Sequence, residues 1–155
     1  MKYLTVIETG GTTCGAYVPD VPGAVGLGAD VADTLRSVSE ALALHLEGEV
    51  WPEPKTLTRE TAERYVREML NSPGLKPGDE LHFVEPATMN PVALEVTAAR
   101  EAAGISQAEL ARRLGTARGN ISARLENPFY WGHKVETLRR VADALNLKLE
   151  LKLAA

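Results

Sequence analysis

The sequence predicts an α+β fold in two parts, an antiparallel sheet with helices followed by a domain made only of helices. Three observations favour this fold class. Two segments rich in β-branched and aromatic residues, 2–8 and 13–18, flank Gly10-Gly11 in the pattern of a β-hairpin. Two later segments of the first half repeat apolar residues at helical spacing. The second half contains closely spaced helix signals that are separated by glycines. The 155 residues are enough for two small cores.

The first domain is predicted to span residues 1–85. After the hairpin, the Pro- and Gly-rich segment 19–30 is expected to be a shaped loop with a short strand at 24–27. Asp30 or Asp33 can cap the helix that follows, which is predicted to extend to Gly48. Its apolar face is formed by Val31, Leu35, Val38, Leu42 and Leu46.

The rest of this domain contains a second helix and a further strand. The helix begins at Thr58, and its buried stripe is expected to contain Ala62, Val66 and Met69. Residues 81–85 are predicted to form the strand. Upstream, Gly26-Leu27-Gly28 resembles part of a dinucleotide-binding fingerprint, but the third glycine of that motif would fall at Val31. Nucleotide binding is therefore not expected.

A linker is predicted at residues 86–92, followed by a helical domain at residues 93–155. Its first helix is expected near residues 92–103 and is closed by Gly104. Its last helix has an apolar face formed by Val135, Leu138, Val141, Ala142 and Leu145, with Arg139 and Arg140 pointing outward.

The segment between these two helices has the spacing of a helix-turn-helix. Ser106 and Glu109 are three residues apart, as in a capping box, so a helix is expected to begin at Gln107. Gly115 is expected to end that helix, and Thr116 to cap a second one. The predicted core positions of the two helices are Leu110, Ala111, Leu114, Ile121 and Leu125.

The other face of the second helix carries side chains that suit the major groove of DNA. Arg can pair with guanine and Asn with adenine through two hydrogen bonds each. The polar residues of this face are Arg118, Asn120, Ser122 and Arg124. An ordinary helical hairpin, whose arginines are only solvated, is the alternative.

Residues 147–153, LKLELKL, alternate strictly between leucine and charged residues, which predicts a half-buried strand. A single strand is not stable alone, so it must pair with the N-terminal sheet or with a second copy of the chain. We expect the second copy, which would give a homodimer or a higher homo-oligomer. Upstream, the aromatic residues 129–131 either contact DNA or a partner, or cover the open end of the helical core.

Composition and charge exclude several classes of protein. The chain is expected to be cytoplasmic and without a membrane span, because Lys2, Glu8 and two glycines interrupt its N-terminal apolar residues. One cysteine and three scattered histidines show no metal-ligand spacing, so no metal site is predicted. Residues 1–92 have a net charge of −7 and residues 93–155 of +3. Either charge drifts along the chain, or the halves bind different partners.

Two resemblances meet in this chain and together cover nearly all of it. The first half resembles HicB-type antitoxins through YLTVIE, the hairpin, PDVPG and the helix from Asp30. The second half resembles the Xre-type helix-turn-helix through SQAELARRLG, NIS and RLENP. The resemblance implies a shortened ribonuclease-H-like first domain, a HicA-type RNA-cleaving toxin as partner, and repression of the shared operon through double-stranded operator DNA.

The resemblance also implies a set of DNA-binding residues. Gln107 and Thr116 are expected at phosphates, and Arg118, Asn120 and Ser122 at base edges; Ala117 and Arg124 complete the set. In the related pattern, Arg directly follows the Ile-Ser pair, whereas Ala123 stands between Ser122 and Arg124 here. One extra residue rotates a helix by about 100°. The sequence therefore leaves open which of Ser122 and Arg124 faces the groove.

Three functions are compared at this point. The leading hypothesis is a non-enzymatic antitoxin that covers its toxin and represses transcription, with no cofactor. The alternative is an Xre-type repressor whose N-terminal domain senses a small molecule or only oligomerises. A two-metal nuclease is the enzymatic hypothesis and would need converging carboxylates. Its candidates are Glu8, Asp20, Asp30 and Asp33, of which three lie in a proline loop or at expected helix caps.

Overall fold

A computed structural model describes residues 1–154, which form two compact units. The first unit is Met1–Thr88, and the second begins at Met89. Ala155, the last residue of the predicted helical domain, lies outside the described residues. Among the described residues, no helix is both long and apolar enough to cross a membrane.

The first unit contains a four-stranded antiparallel sheet. The strands are β1 (Tyr3–Thr9), β2 (Cys14–Tyr17), β3 (Val25–Gly28) and β4 (Glu80–Val84), in the order β3-β2-β1-β4. β1 pairs with β2 as predicted, but Thr9 pairs with Cys14 and leaves a four-residue connection, 10–13. The prediction of a two-residue Gly10-Gly11 turn is therefore wrong, although Gly11 has a positive φ of 149°.

Helices cover both faces of the sheet, so the central strand β1 has buried residues on each face. Tyr3 and Ile7 belong to the cluster under α1 (Val31–His45), together with Val38 and Leu42. Leu4 and Val6 point to the opposite face and pack with Ala62 of α2 (Arg59–Met69). The alternation along β1 thus supplies both layers of the core.

α1 begins where predicted, with the Asp30 carboxylate accepting a hydrogen bond from the backbone N–H of Asp33 at 2.8 Å. It lies directly against β3. A Cβ atom at Gly26 would be 2.7 Å from the backbone nitrogen of Val38, and one at Gly28 would clash with the backbone nitrogen of Thr34. These two glycines therefore serve helix-to-strand packing.

α2 also begins where predicted, because Thr58 and Thr61 form a reciprocal capping box. Ala62 and Val66 are buried as expected, but Met69 is 69% exposed. The prediction for Met69 is wrong because the helix covers the sheet only with its first two turns and ends at Met69. The predicted strand at 81–85 is observed one residue earlier.

The second unit is helical up to Ala144. Its elements are α3 (Pro91–Ala102), α4 (Gln107–Leu114), the short α5 (Arg118–Asn120), a π-helical turn (Ile121–Leu125) and α6 (Val135–Ala144). Asn90 caps α3, so Pro91 and Val92 of the predicted linker are helical. One apolar core joins these elements, and its buried members are Val96, Leu110, Ala111, Leu114, Ile121, Leu125, Val141 and Leu145.

The predicted strand at 147–153 is not formed within the described residues of this unit. The chain leaves α6 through Asn146, which has a positive φ of 55°, and then has no regular secondary structure. Leu147, Leu151 and Leu153 are exposed. The strand prediction is wrong for a single chain, because a strand needs a partner for its backbone groups and α3 to α6 offer none. Pairing with a second copy stays a prediction.

Candidate functional site

α4, the first helix of the helix-turn-helix segment, is capped by only half of the predicted capping box. The Ser106 hydroxyl accepts a hydrogen bond from the backbone N–H of Glu109 at 3.1 Å. The Glu109 carboxylate does not reach back and instead binds Arg112 and Arg113. Hydrogen bonds from these two arginines lower the pKa of Glu109 to about 2. The charge of this arginine pair is therefore partly compensated.

The turn after α4 forms at Gly115, as predicted. Gly115 has a φ of 66°, in the left-handed region, and its N–H donates to the carbonyl of Arg112. Thr116 does not cap the next helix. Its hydroxyl oxygen accepts a hydrogen bond from the side-chain amide of Asn120 at 2.7 Å, and Ala117 is the N-cap residue. The capping prediction for Thr116 is wrong because the helix begins at Arg118, one residue later than predicted, so that the N-cap position falls on Ala117.

The second helix of the segment consists of α5 and the π turn, residues 118–125. Ile121 and Leu125 are buried in the core, as predicted. Arg118 and Arg124 form no ion pair within residues 1–154, so their charges are free for a ligand. The predicted DNA-binding residues of this helix and of its N-cap position are all exposed; they are Ala117, Arg118, Asn120, Ser122 and Arg124.

A buried ion pair fixes the end of this second helix. The Glu126 side chain is 4% exposed and binds the guanidinium of Arg100, which is 12% exposed, through two hydrogen bonds. Gln107 also donates its amide N–H to Glu126 at 2.9 Å. The pKa of Arg100 is raised, first by the hydrogen bond with Glu126. Gln107, predicted at a phosphate, therefore already has a partner in the protein.

Sequence reasoning missed Glu126, because a lone carboxylate after a core leucine has no diagnostic spacing. Its partner Arg100 also donates to the carbonyl of Ile105 at 2.8 Å. One carboxylate and one guanidinium thus tie the end of α3, the start of α4 and the end of the π turn together. Arg100 and Glu126 hold the second helix in place, but they are not part of its solvent-exposed face.

The exposed side of the second helix borders a cleft of about 260 Å³. Thr116, Asn120 and Arg124, at four-residue spacing, line this cleft. Lys134 and Arg140, from a later part of the chain, line it as well. Three cationic side chains therefore surround one concave region, which favours an anionic ligand.

Arg140 differs from its predicted orientation. Although the residue is exposed, its guanidinium donates to the carbonyl of Leu114 at 2.6 Å and does not simply point outward. This bond satisfies a carbonyl at the end of α4. Neither Arg140 nor Lys134 was predicted as a site residue, because they come from a separate part of the sequence that only folding brings to Arg124.

The aromatic residues 129–131 differ in exposure, so they do not all share one of the two predicted roles, which are contact with a ligand and cover of the helical core. Phe129 and Tyr130 are half-buried, whereas Trp131 is 60% exposed. Asn90, which is buried, donates to the Tyr130 carbonyl at 2.9 Å and thereby fixes the loop to the start of α3. Trp131 is thus free to contact a ligand.

The four carboxylates proposed for a nuclease have other partners in the first unit. Asp20 accepts hydrogen bonds from the backbone N–H groups of Lys55 and Thr56. Asp30 caps α1, Asp33 pairs with Arg36, and Glu8 pairs with Lys76. Within residues 1–154, no group of three or more potential ligands is arranged to hold a metal ion.

The first unit also exposes three apolar side chains near the end of α1. We call them the Trp51 surface; they are Leu44, Val50 and Trp51. The Trp51 indole N–H donates to the carbonyl of Leu46 at 3.2 Å, which holds the ring against the end of α1. The same segment contains three exposed carboxylates, Glu47, Glu49 and Glu53.

Comparison with known proteins finds solved structures that are similar to the chain, while no family model and no curated protein matches it. One of these structures is a chain of the HicA3 and HicB3 toxin-antitoxin complex. It is 28% identical, with 55% of this chain and 96% of that chain covered and a TM-score of 0.38. Another is the antitoxin HicB of Burkholderia pseudomallei. It is 22% identical, with 72% and 94% covered and a TM-score of 0.39. Both structures contain the kind of antitoxin that the PDVPG half of the sequence resembles.

Proposed function

We propose that this chain is a HicB-type antitoxin with a C-terminal helix-turn-helix of the Xre type. The first unit binds and occludes a HicA-type toxin, and the second unit represses the operon that encodes both proteins. One observation carries the proposal. An acidic sheet domain with the PDVPG segment and a helical unit with a cationic, exposed second helix occur in one chain.

Free positive charge on the second helix supports DNA binding. Arg118 and Arg124 are exposed and unpaired within residues 1–154, whereas Arg112 and Arg113 are paired with Glu109. Asn120 is exposed on the same helix. Arg and Asn are the side chains that most often read guanine and adenine in the major groove. We therefore assign base contacts to Arg118 and Asn120.

The test of DNA binding compares two arginines that differ in their pairing. Arg118→Ala should weaken binding to the promoter of the chain's own operon by about 1 to 3 kcal/mol and spare non-specific DNA. Arg112→Ala is the matched control and should have little effect, because Glu109 already holds that guanidinium. Equal losses for both variants on every DNA sequence would contradict base reading by Arg118.

Charge and exposed apolar area support toxin binding by the first unit. Residues 1–92 contain 14 acidic and 7 basic side chains, which favours a basic protein partner. The Trp51 surface combines an exposed indole with three carboxylates in one short segment. An exposed Trp in an acidic segment is a suitable anchor for such a partner. We therefore place toxin contact at this surface, where steric cover alone would inhibit the toxin.

The two tryptophans of the chain provide a matched test. The tagged full chain should retain a small basic protein from the native cells, which then cleaves RNA only when it is released. Trp51→Ala should lower this retention at least about tenfold, since interface tryptophans often contribute 2 kcal/mol or more. Trp131→Ala, which alters an exposed Trp of the second unit, should leave it unchanged. Promoter binding without any retained protein would favour the simple repressor.

We also propose that residues 147–153 of two copies pair into a two-stranded ribbon. Exposed leucines on one side of this segment support the pairing, as does the apolar concavity of about 510 Å³ beside it. Val96, Leu138 and Leu145 contribute to that concavity. A two-fold dimer would present two second helices to half-sites about one DNA turn apart.

A further inference from the structure

The helix that carries the proposed DNA contacts contains one residue more than a regular α-helix would hold. In the π turn at Ile121–Leu125, the backbone N–H of Glu126 donates to the carbonyl of Ile121 at 2.8 Å. This bond spans five residues, whereas an α-helical bond spans four. Single π turns inside helices occur often at functional sites.

Both ends of the π turn are fixed by contacts with the core. Ile121 is completely buried, and Leu125 is 8% exposed in the same apolar cluster. Glu126 is held by Arg100 and Gln107. Because these contacts fix the residues after the π turn, the additional residue does not rotate the chain that follows. It instead widens the turn on the solvent side, where residues 122–124 are all exposed.

The widened turn determines which polar side chain lies beside Asn120. Arg124 lines the cleft next to Asn120 and Thr116, whereas Ser122 does not line it. The Ser122 hydroxyl instead donates to the carbonyl of Gly119 at 3.4 Å, within its own helix. Arg124 has no carboxylate partner within the described part of the chain. Its charge is available at this position.

We propose that the π turn created by Ala123 makes Arg124 a specificity-determining residue, which reads a guanine next to the base contacted by Asn120. Ser122 makes no base contact. This inference rests on the proposed DNA-binding function. An arginine that forms two hydrogen bonds prefers guanine, and an asparagine prefers adenine, so the bound DNA sequence contains a guanine and an adenine at neighbouring positions.

The experiment is selection from a random-sequence duplex DNA library with the full-length chain. Arg124→Ala should lose the preference for guanine at one position of the selected sequence, by on the order of 10- to 100-fold, and keep the other positions. Ser122→Ala is the matched control from the same turn and should select the same sequence as the unchanged chain. Both residues are exposed, so neither change threatens the fold.

Deletion of Ala123 tests the role of the π turn itself. The deletion restores four-residue spacing and should move or abolish the guanine preference, whereas Ala123→Ser keeps the chain length and should retain it. If the deletion variant does not fold, Arg124→Ala still tests whether Arg124 reads the guanine. If Arg124→Ala selects the same DNA sequence as the unsubstituted chain, or loses affinity equally for all sequences, the role of Arg124 is overturned and the proposed DNA binding still stands. If the unsubstituted chain enriches no DNA sequence, the proposed DNA binding is overturned as well.

Discussion

At the scale of single residues, the Glu126 carboxylate links three elements of the second unit through its contacts with Arg100 and Gln107. Replacing it by Gln should destabilise this unit by about 1 to 3 kcal/mol, because the Arg100 guanidinium, which is only 12% exposed, would lose the charge of the carboxylate that accepts two of its hydrogen bonds. Urea unfolding followed by Trp131 fluorescence, in a chain with Trp51→Phe, would measure the second unit alone.

The control for this prediction uses the other carboxylate beside Arg100. Glu101 lies 3.7 Å from the same guanidinium, but its side chain is 65% exposed. Glu101→Gln should therefore cost less than about 1 kcal/mol. Similar losses of unfolding free energy for Glu126→Gln and Glu101→Gln would mean that burial of the Arg100–Glu126 ion pair does not determine how much this pair stabilises the second unit.

Glu109 gives a prediction about pH. Its pKa is lowered from an ordinary value of 4.5 to about 2, first by the hydrogen bond from Arg112. A lowered pKa means that the ionised carboxylate stabilises the folded state. This contribution is complete above pH 4.5 and is lost as the pH falls through 2. The Tm of the unchanged chain should exceed that of Glu109→Gln at pH 7, and the difference should shrink steadily as the pH is lowered from 4.5 through 2. A difference that stays constant over this range would show that the charge is not its source.

At the scale of elements, α1 and β3 are held together through glycines. Gly26→Ala would place a Cβ atom 2.7 Å from the backbone nitrogen of Val38, so the helix would have to move away from the strand. We expect the first unit to lose about 1 to 3 kcal/mol in urea unfolding followed by Trp51 fluorescence. Gly10→Ala should change little, since no atom lies within 4 Å of its added Cβ. Equal stability of both variants would contradict the close packing.

The elements themselves were largely predictable from the sequence, because their signals are local. Asp30 and Thr58 begin helices, and Gly115 ends one, through hydrogen bonds or a backbone angle that a single residue provides. The π turn was not predictable in this way. Ala123 indicated one extra residue, but the core contacts of Ile121 and Glu126 determine where that residue is accommodated. The cleft beside Arg124 likewise depends on Lys134 and Arg140, which only tertiary structure brings near.

At the scale of the whole molecule, the two proposed functions should be separable by mutation. Arg118→Ala should weaken promoter binding and leave toxin retention unchanged, while Trp51→Ala should lower toxin retention and leave promoter binding unchanged. The reason is that the two residues belong to different compact units, each with its own core. Filter binding to promoter DNA and toxin retention, measured on the same preparations, test this. Loss of both activities in either variant would contradict independent sites.

The proposed self-association also belongs to the scale of the whole molecule, and the alternation of residues 147–153 provides its test. Leu147 and Leu151 are exposed in the single chain, which leaves apolar area that a second copy would cover. Replacing the four leucines of this segment by serine should shift the sedimentation mass from dimer to monomer and weaken promoter binding, because each monomer reaches only one half-site. Replacing Lys148, Glu150 and Lys152 by serine changes the other side of the same strand and should leave the dimer intact. A leucine variant that stays dimeric would place the two-fold contact elsewhere on the molecule.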